Sequence, residues 1–186
     1  MAVDARVPGV LRDATEADFT AILRLNHDFV HFTSRLDEAA LRHLHVHSAY
    51  HRVIESDGRV VAFLLALREG ADYRSPNYRW FSERGGEFLY IDRVVVAGAS
   101  QGYGLAGLLY DDVLAFACSA GVERIVCELD ADPPNEPSRR FHDRYGFIEV
   151  GTQRVAGGAK RVSLRELVPA LAPGVRAPLC PERNGT

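Results

Sequence analysis

The sequence predicts an α/β fold: a twisted mixed sheet of about six to seven strands with helices on both faces. Three observations predict it. Apolar runs of strand length alternate with stretches of helical period, Asp57-Gly58 joins two of those runs in the strongest short-range hairpin signal, and a third run, EFLYIDRVVV, feeds a glycine loop that opens a helical pattern. With 186 residues, 47% of them hydrophobic and 25% charged, the chain has the length and apolar content of one such core. One domain is expected over 1–168, followed by a flexible Pro- and Ala-rich tail over 169–186.

GVLR at 9–12 reads as a short first strand. DATEADFTAILRLNHDF follows as a helix with Thr15 as N-cap, and Phe19, Ile22, Leu23 and Leu25 or Phe29 form its buried stripe. LDEAALRHLHV is a second helix. YHRVIES and VVAFLLALRE are antiparallel strands about Asp57-Gly58. The stretch 69–86, containing GADYRSPNYRWFSERGG, shows neither period and reads as a long aromatic loop. After EFLYIDRVVV, Leu105, Leu108, Leu109, Val113, Phe116 and Ala117 follow helical spacing up to a cap at Gly121. VERIVCEL is a buried strand, EPSRRFHDRY a short helix ending at Gly146, and FIEVGTQRV with AKRVSLREL a last hairpin about Gly157-Gly158.

A formal charge of −3 supplies no global basic field, which argues against nucleic acid or an acidic membrane surface as partner. Cys118, Cys127 and Cys180 are too few and too scattered for a disulfide framework or a zinc knuckle, so a reducing, cytoplasmic setting is expected. The N-terminus lacks an apolar signal core, and the chain has no run of about 18 apolar residues, the length that crosses a bilayer.

SQGYGLAG at 100–107 carries two phosphate-binding spellings. Gly102, Gly104 and Gly107 give G-x-G-x-x-G, the dinucleotide fingerprint, and Glu128 falls where its ribose-binding acid belongs. That fingerprint needs its first glycine at the very end of a first parallel strand. Here Ala97 to Gln101 intervene after Val96, and a hairpin precedes. Gln101, Gly104 and Ala106 give Q-x-x-G-x-A, in which glycine-turned amides and a helix N-terminus meet a pyrophosphate.

The second spelling belongs to a longer constellation. DRVVVAGASQGYGLAGLLYDDVLAFA, then VERIVCELDADPPNEPSRRFHDRYGFIEVG, with Asn135, Ser138 and FHDRYGF at 141–147, resembles the GNAT family of acyl-CoA-dependent N-acetyltransferases. The likeness follows element order over about 8–168, with its sharp motifs in 88–147.

The resemblance implies acetyl-CoA as cosubstrate, its pantetheine along Val94, Val95 and Val96 and its pyrophosphate at Gln101, Gly102, Tyr103, Gly104, Leu105 and Ala106. It implies direct transfer to the amine of a small-molecule or amino-acid-like acceptor. Asn135 and Ser138 are expected near the pantetheine, Asn135 equally as a turn residue. Asp92 is the expected base, with Glu87 or a water relay through Tyr90 as alternatives and a salt bridge to Arg93 or Arg79 as its structural reading. The family's tyrosine in the Y-x-x-x-G-F ending is His142 here, so the acid is His142 or Tyr145. The acceptor pocket is expected between the first two helices and the aromatic loop, with Tyr73, Tyr78, Trp80, Phe81 and Tyr90 on its wall.

His27 and His31 could line that pocket, and Cys127 could form an acetyl-cysteine or be a buried structural thiol. His43, His45, His47 and His51 recur closely, but helical spacing scatters the first three, so no metal is expected. A non-catalytic CoA-binding module and a protein N-acetyltransferase stay open, the latter disfavoured by the aromatic loop. A homodimer through the edge of VSLREL is expected from the family habit.

Overall fold

The computed structural model describes residues 9–31 and 33–172. The expected tail lies outside the described residues from 173 on; before it, Pro169–Leu171 form a 3-10 turn. The described chain forms two compact units: one holds the residues up to Ala66 with Asp92–Asp111, the other Leu67–Ile91 with the residues from Asp112 on.

In the first unit, β1 (Val10–Asp13) pairs antiparallel with β2 (Tyr50–Ser56), Val10 opposite Glu55. Thr15 is the N-cap of the 3-10 turn Glu16–Asp18, which leads into α1 (Phe19–Asp28). The Asp18 carboxylate accepts the Thr15 backbone N–H at 2.8 Å and its hydroxyl at 3.0 Å, and two N–H groups of Arg12 at 2.8 Å. The Arg12 hydrogen bonds hold the Asp18 carboxyl down at about 2. Phe19, Ile22, Leu25 and Asn26 form the buried face of α1. In α2 (Glu38–His47), capped by the Asp37 carboxylate on the Ala40 amide, Leu41 and Leu44 do the same. Asp57 and Gly58 take φ of +49° and +71°, both left-handed as a two-residue hairpin requires, and lead into β3 (Arg59–Arg68).

The second unit begins within β3 and contains the first half of β4 (Phe88–Val96). The expected aromatic loop is instead partly α3 (Pro76–Ser82), with Pro76 in its first turn. Seven residues are too short for helical period to stand out, but Asn77, Tyr78 and Phe81 are buried at helical spacing. α4 (Leu105–Ser119) closes at Gly121, where the Gly121 and Val122 amides return to the Cys118 and Ala117 carbonyls. β5 (Arg124–Asp132), α5 (Glu136–Tyr145), β6 (Ile148–Val155) and β7 (Lys160–Leu167) complete the unit.

The seven strands run in the order β1-β2-β3-β4-β5-β7-β6. The sheet is mixed: β4 and β5 are parallel, whereas β5–β7 and β6–β7 are antiparallel. This order corrects one expectation. The VSLREL strand is β7, lies between β5 and β6 and offers no edge; the edge strand on that side is β6, with Ile148 63% exposed.

Candidate active site

In the first unit, the chain leaves β4 at Val96 and is pinned at once, the Ala97 amide donating to the Val61 carbonyl at 2.8 Å. Val95 is buried, while Val94 and Val96, on the other side of the strand, are half-buried. A 3-10 turn, Gly98–Ser100, precedes the loop. Gln101 Nε2 donates back to the Val96 carbonyl at 3.4 Å. Gly102 and Gly104 have φ of +85° and +78°, while an added Cβ at either would meet nothing within 4 Å. Glycine is thus needed for the backbone turn rather than for room. Tyr103 between them is exposed, and Leu105, the first residue of α4, is buried. The first turn of this 15-residue helix contains no acid, so its positive end is not neutralised from within. With Ala106 in that turn, the two left-handed glycines lead straight into a helix N-terminus, whose first backbone N–H groups have no partner within the helix.

Asp92 in the same unit pairs with its neighbour: Arg93 Nε donates to Oδ2 at 3.0 Å, and both side chains are about 5% exposed. Arg93 is the salt-bridge partner that the sequence offered as the structural reading of Asp92.

In the second unit, the β4–β5 ladder registers Phe88 with Arg124, Leu89 with Ile125 and Tyr90 with Val126. The Tyr90 hydroxyl donates to Glu128 Oε2 at 2.6 Å. Asn135 caps α5, its Oδ1 accepting the Ser138 amide at 3.2 Å, so the turn role is observed directly. His142 is buried, its ring edge-on to Phe141 and Phe147. Its Nδ1 lies 2.8 Å from the Ser138 carbonyl, which can only accept, so Nδ1 carries the proton and Nε2 has none to give. Burial pushes this imidazole down to about 4 and keeps it neutral. Tyr145 is half-buried and packs on Phe141 at 5.0 Å.

Tyr78, Phe81 and Tyr90 sit in the aromatic core of this unit with Phe88, and the Tyr78 hydroxyl donates to the Arg68 carbonyl at 2.7 Å. Trp80 lies over Gly151, where a Cβ would come within 2.4 Å of its ring, and under the Arg84 guanidinium at 3.1 Å. These aromatic rings fill and cover a core rather than wall an open loop.

Burial pushes the free Cys127 thiol up, against a nucleophilic role. His43 stacks on His47, whereas His45 Nδ1 and His51 Nδ1 lie 2.9 Å apart. Burial pushes His51 down to about 4, and its Nε2 has no hydrogen-bond partner. His27 and His31 are exposed. Among the described residues, no three His, Cys, Asp or Glu side chains gather to hold a metal, and no helix is long and apolar enough to cross a membrane.

The structure also singles out Glu128 as the partner of Tyr90, which the sequence did not assign to this site, and gives Arg93, expected only as a salt-bridge partner of Asp92, further bonds to Asn26 and Ser34. Glu128 follows the apolar Ile125, Val126 and Cys127, and Arg93 precedes Val94, Val95 and Val96, and a charge beside such an apolar run is the signal that marks them.

Residues 14–147 match the family model described as Acetyltransferase (GNAT) family. No curated protein shows significant sequence similarity to the chain. Among solved structures, Ard1 from Thermoplasma volcanium is 16% identical with a TM-score of 0.69, the match covering 87% of this chain and 97% of that one. Naa50 of Arabidopsis thaliana, solved with the bisubstrate analogue CoA-Ac-MVNAL, is 16% identical with a TM-score of 0.64, over 85% and 97%. The ribosomal-protein-S18-alanine N-acetyltransferase of Escherichia coli is 13% identical with a TM-score of 0.66, over 90% and 98%. The shared architecture is the mixed sheet with helices on both faces. The family match spans most of the chain and includes the Gln101–Ala106 cradle and the α5 ending, and on that ground the chain belongs to the GNAT acetyltransferase family.

Proposed function

We propose that the chain transfers an acetyl group from acetyl-CoA directly to a primary amine in a ternary complex. The observation that carries this reading is the pair of left-handed glycines, Gly102 and Gly104, that leads into the acid-free N-terminus of α4, where backbone N–H groups favour an anion such as the coenzyme's pyrophosphate. The CoA-based analogue bound to the Arabidopsis Naa50 supports the choice of cosubstrate. Val94 to Val96 offer strand backbone to the pantetheine amides, and a β4 amide meets the charge that grows on the acetyl oxygen. Asn135 and Ser138 fix the start of α5.

The amine nitrogen bonds to the acetyl carbon as the carbon–sulfur bond breaks. The amine loses one proton to a carboxylate, and the sulfur gains one from an acid. Two carboxylates compete for the first task. Asp92 is buried and bonded to Arg93, whereas the half-buried Glu128 is bonded to the Tyr90 hydroxyl, through which a proton relay runs, so we take Glu128 as the base. For the acid we take Tyr145 over His142, because the His142 tautomer has no N–H at Nε2. A buried Cys127 thiol with a raised pKa supports transfer without an acetyl-enzyme.

The acceptor is a small-molecule amine or the α-amine of a peptide. The sequence argument against a peptide rested on a long aromatic loop, which is partly α3, with Tyr78 and Phe81 buried. The protein acetyltransferases among the solved structures favour keeping the peptide. Thiol release from acetyl-CoA with spermidine, phenethylamine and a free-α-amine pentapeptide tests both classes. Release with any of them supports the reading. Coenzyme binding without release for all three favours a module that binds CoA and does no chemistry.

A further inference from the structure

Arg93 is a buried charge of the first unit with four side-chain hydrogen bonds. Beyond its bond to Asp92, Nη1 donates to Asn26 Oδ1 at 2.7 Å and to the Ser34 carbonyl at 2.8 Å, and Nη2 donates to Ser34 Oγ at 2.5 Å. Asn26 Nδ2 donates to the same Ser34 carbonyl at 3.0 Å, which closes a triangle of Arg93, Asn26 and Ser34. Asn26 lies on the buried face of α1 and Ser34 in the segment that leads to α2. Ser34 itself is exposed, so one guanidinium joins the strand interior to a surface corner. A planar fork with several fixed donors suits this task, which a lysine's single nitrogen cannot reproduce.

The coenzyme cradle in the same unit is anchored differently. Its start is held by the Ala97 amide on the Val61 carbonyl and by Gln101 on Val96, with no Arg93 contact among those bonds. The two anchorages are therefore separable.

The geometry points to Arg93 as a positioning residue: it ties the α1–α2 connection, through Asn26 and Ser34, to β4 beside Asp92, so that acceptor binding depends on it and coenzyme binding does not. The acceptor part rests on the acetyltransferase reading, in which the first two helices wall the acceptor site. The tether itself does not.

Full-length Arg93→Met, Arg93→Lys and Ser34→Ala proteins test both parts. The tether is read by hydrogen exchange at Phe29, Val30 and Thr33, whose amides bond to the Asn26, His27 and Phe29 carbonyls. In Arg93→Met these amides should exchange at least about tenfold faster, as expected when a local lock is removed, with smaller rises in Arg93→Lys and Ser34→Ala. Protection of residues 101–106 by acetyl-CoA should persist in all three. With spermidine or the pentapeptide as probe, the acceptor KM should rise about tenfold in Arg93→Met with a smaller change in kcat, and Arg93→Lys should recover part of it. Unchanged exchange at Phe29, Val30 and Thr33, or loss of acetyl-CoA protection alongside it, overturns the tether. A fall in kcat at constant KM overturns its acceptor role. If wild type acetylates neither probe, the acetyltransferase reading fails for those acceptors, while the exchange result still decides the tether. Should Arg93→Met fail to fold, Ser34→Ala, which removes only the Oγ contact, carries the same comparison.

Discussion

At the scale of single residues, the two buried histidines make a prediction about acid. Burial lowers both His51 and His142 to about 4, from an unfolded value of 6.5. Between those values the unfolded chain binds more protons than the folded one, so stability rises with pH across the window and is lost as pH falls from about 6.5 towards 4. Across the whole window each histidine contributes on the order of 3 kcal/mol to that change in stability. Urea unfolding between pH 7 and 4.5 should show the loss, and His142→Phe should flatten it; an unchanged slope in that variant would place the cause elsewhere. The same variant should keep acetyl transfer, whereas Tyr145→Phe should lower kcat roughly a hundredfold, the usual size of a lost general acid. Glu128→Gln should cost more in kcat than Asp92→Asn, and the reverse ranking from initial rates would return the base to Asp92.

Elements make two further predictions. Gly104→Ala must hold a Cβ at φ of +78°, which costs roughly 1 kcal/mol and tilts the amides of the cradle. Acetyl-CoA affinity by calorimetry should therefore fall while the fold survives, since no atom stands within 4 Å of the added carbon. Gly151→Ala on β6 is the opposite case: its φ is ordinary, but its Cβ would enter the Trp80 ring at 2.4 Å. Displacing the indole should lower the melting temperature and shift the fluorescence of the chain's one tryptophan, with little effect on coenzyme affinity. Most elements were legible because their signals are local: Thr15 before a helical stripe, Asp57-Gly58 between strands, Gly121 and Gly146 at helix ends. α3 was not, because two turns offer too few positions for a period.

For the molecule as a whole, element order came through the sequence but spatial order did not. Hairpin partners could be read for β2–β3 and β6–β7, whereas the insertion of β7 between β5 and β6 is a choice between distant strands that no local pattern records. The site divides in the same way. Residues 101–106 announce themselves by spacing, since glycines at fixed offsets before a helix have one backbone reason to be there. The Arg93–Asn26–Ser34 triangle and the Tyr90–Glu128 bond join residues 67, 59 and 38 positions apart, and the sequence shows only an unexpected charge beside an apolar run. The predicted catalytic ending was readable as a motif, yet its departure at His142 became interpretable only through the Ser138 carbonyl 2.8 Å from Nδ1, which assigns the tautomer.

The most direct test of the central claim is thermal unfolding of the full chain with acetyl-CoA, free CoA and NAD, each in excess. A ligand at about a hundred times its Kd that binds only the native state adds roughly 2.7 kcal/mol, which for a chain of this size is about 5–10 °C in Tm. The account predicts that rise with acetyl-CoA and with CoA and none with NAD. A rise with NAD alone would contradict it and return the glycine loop to its dinucleotide spelling.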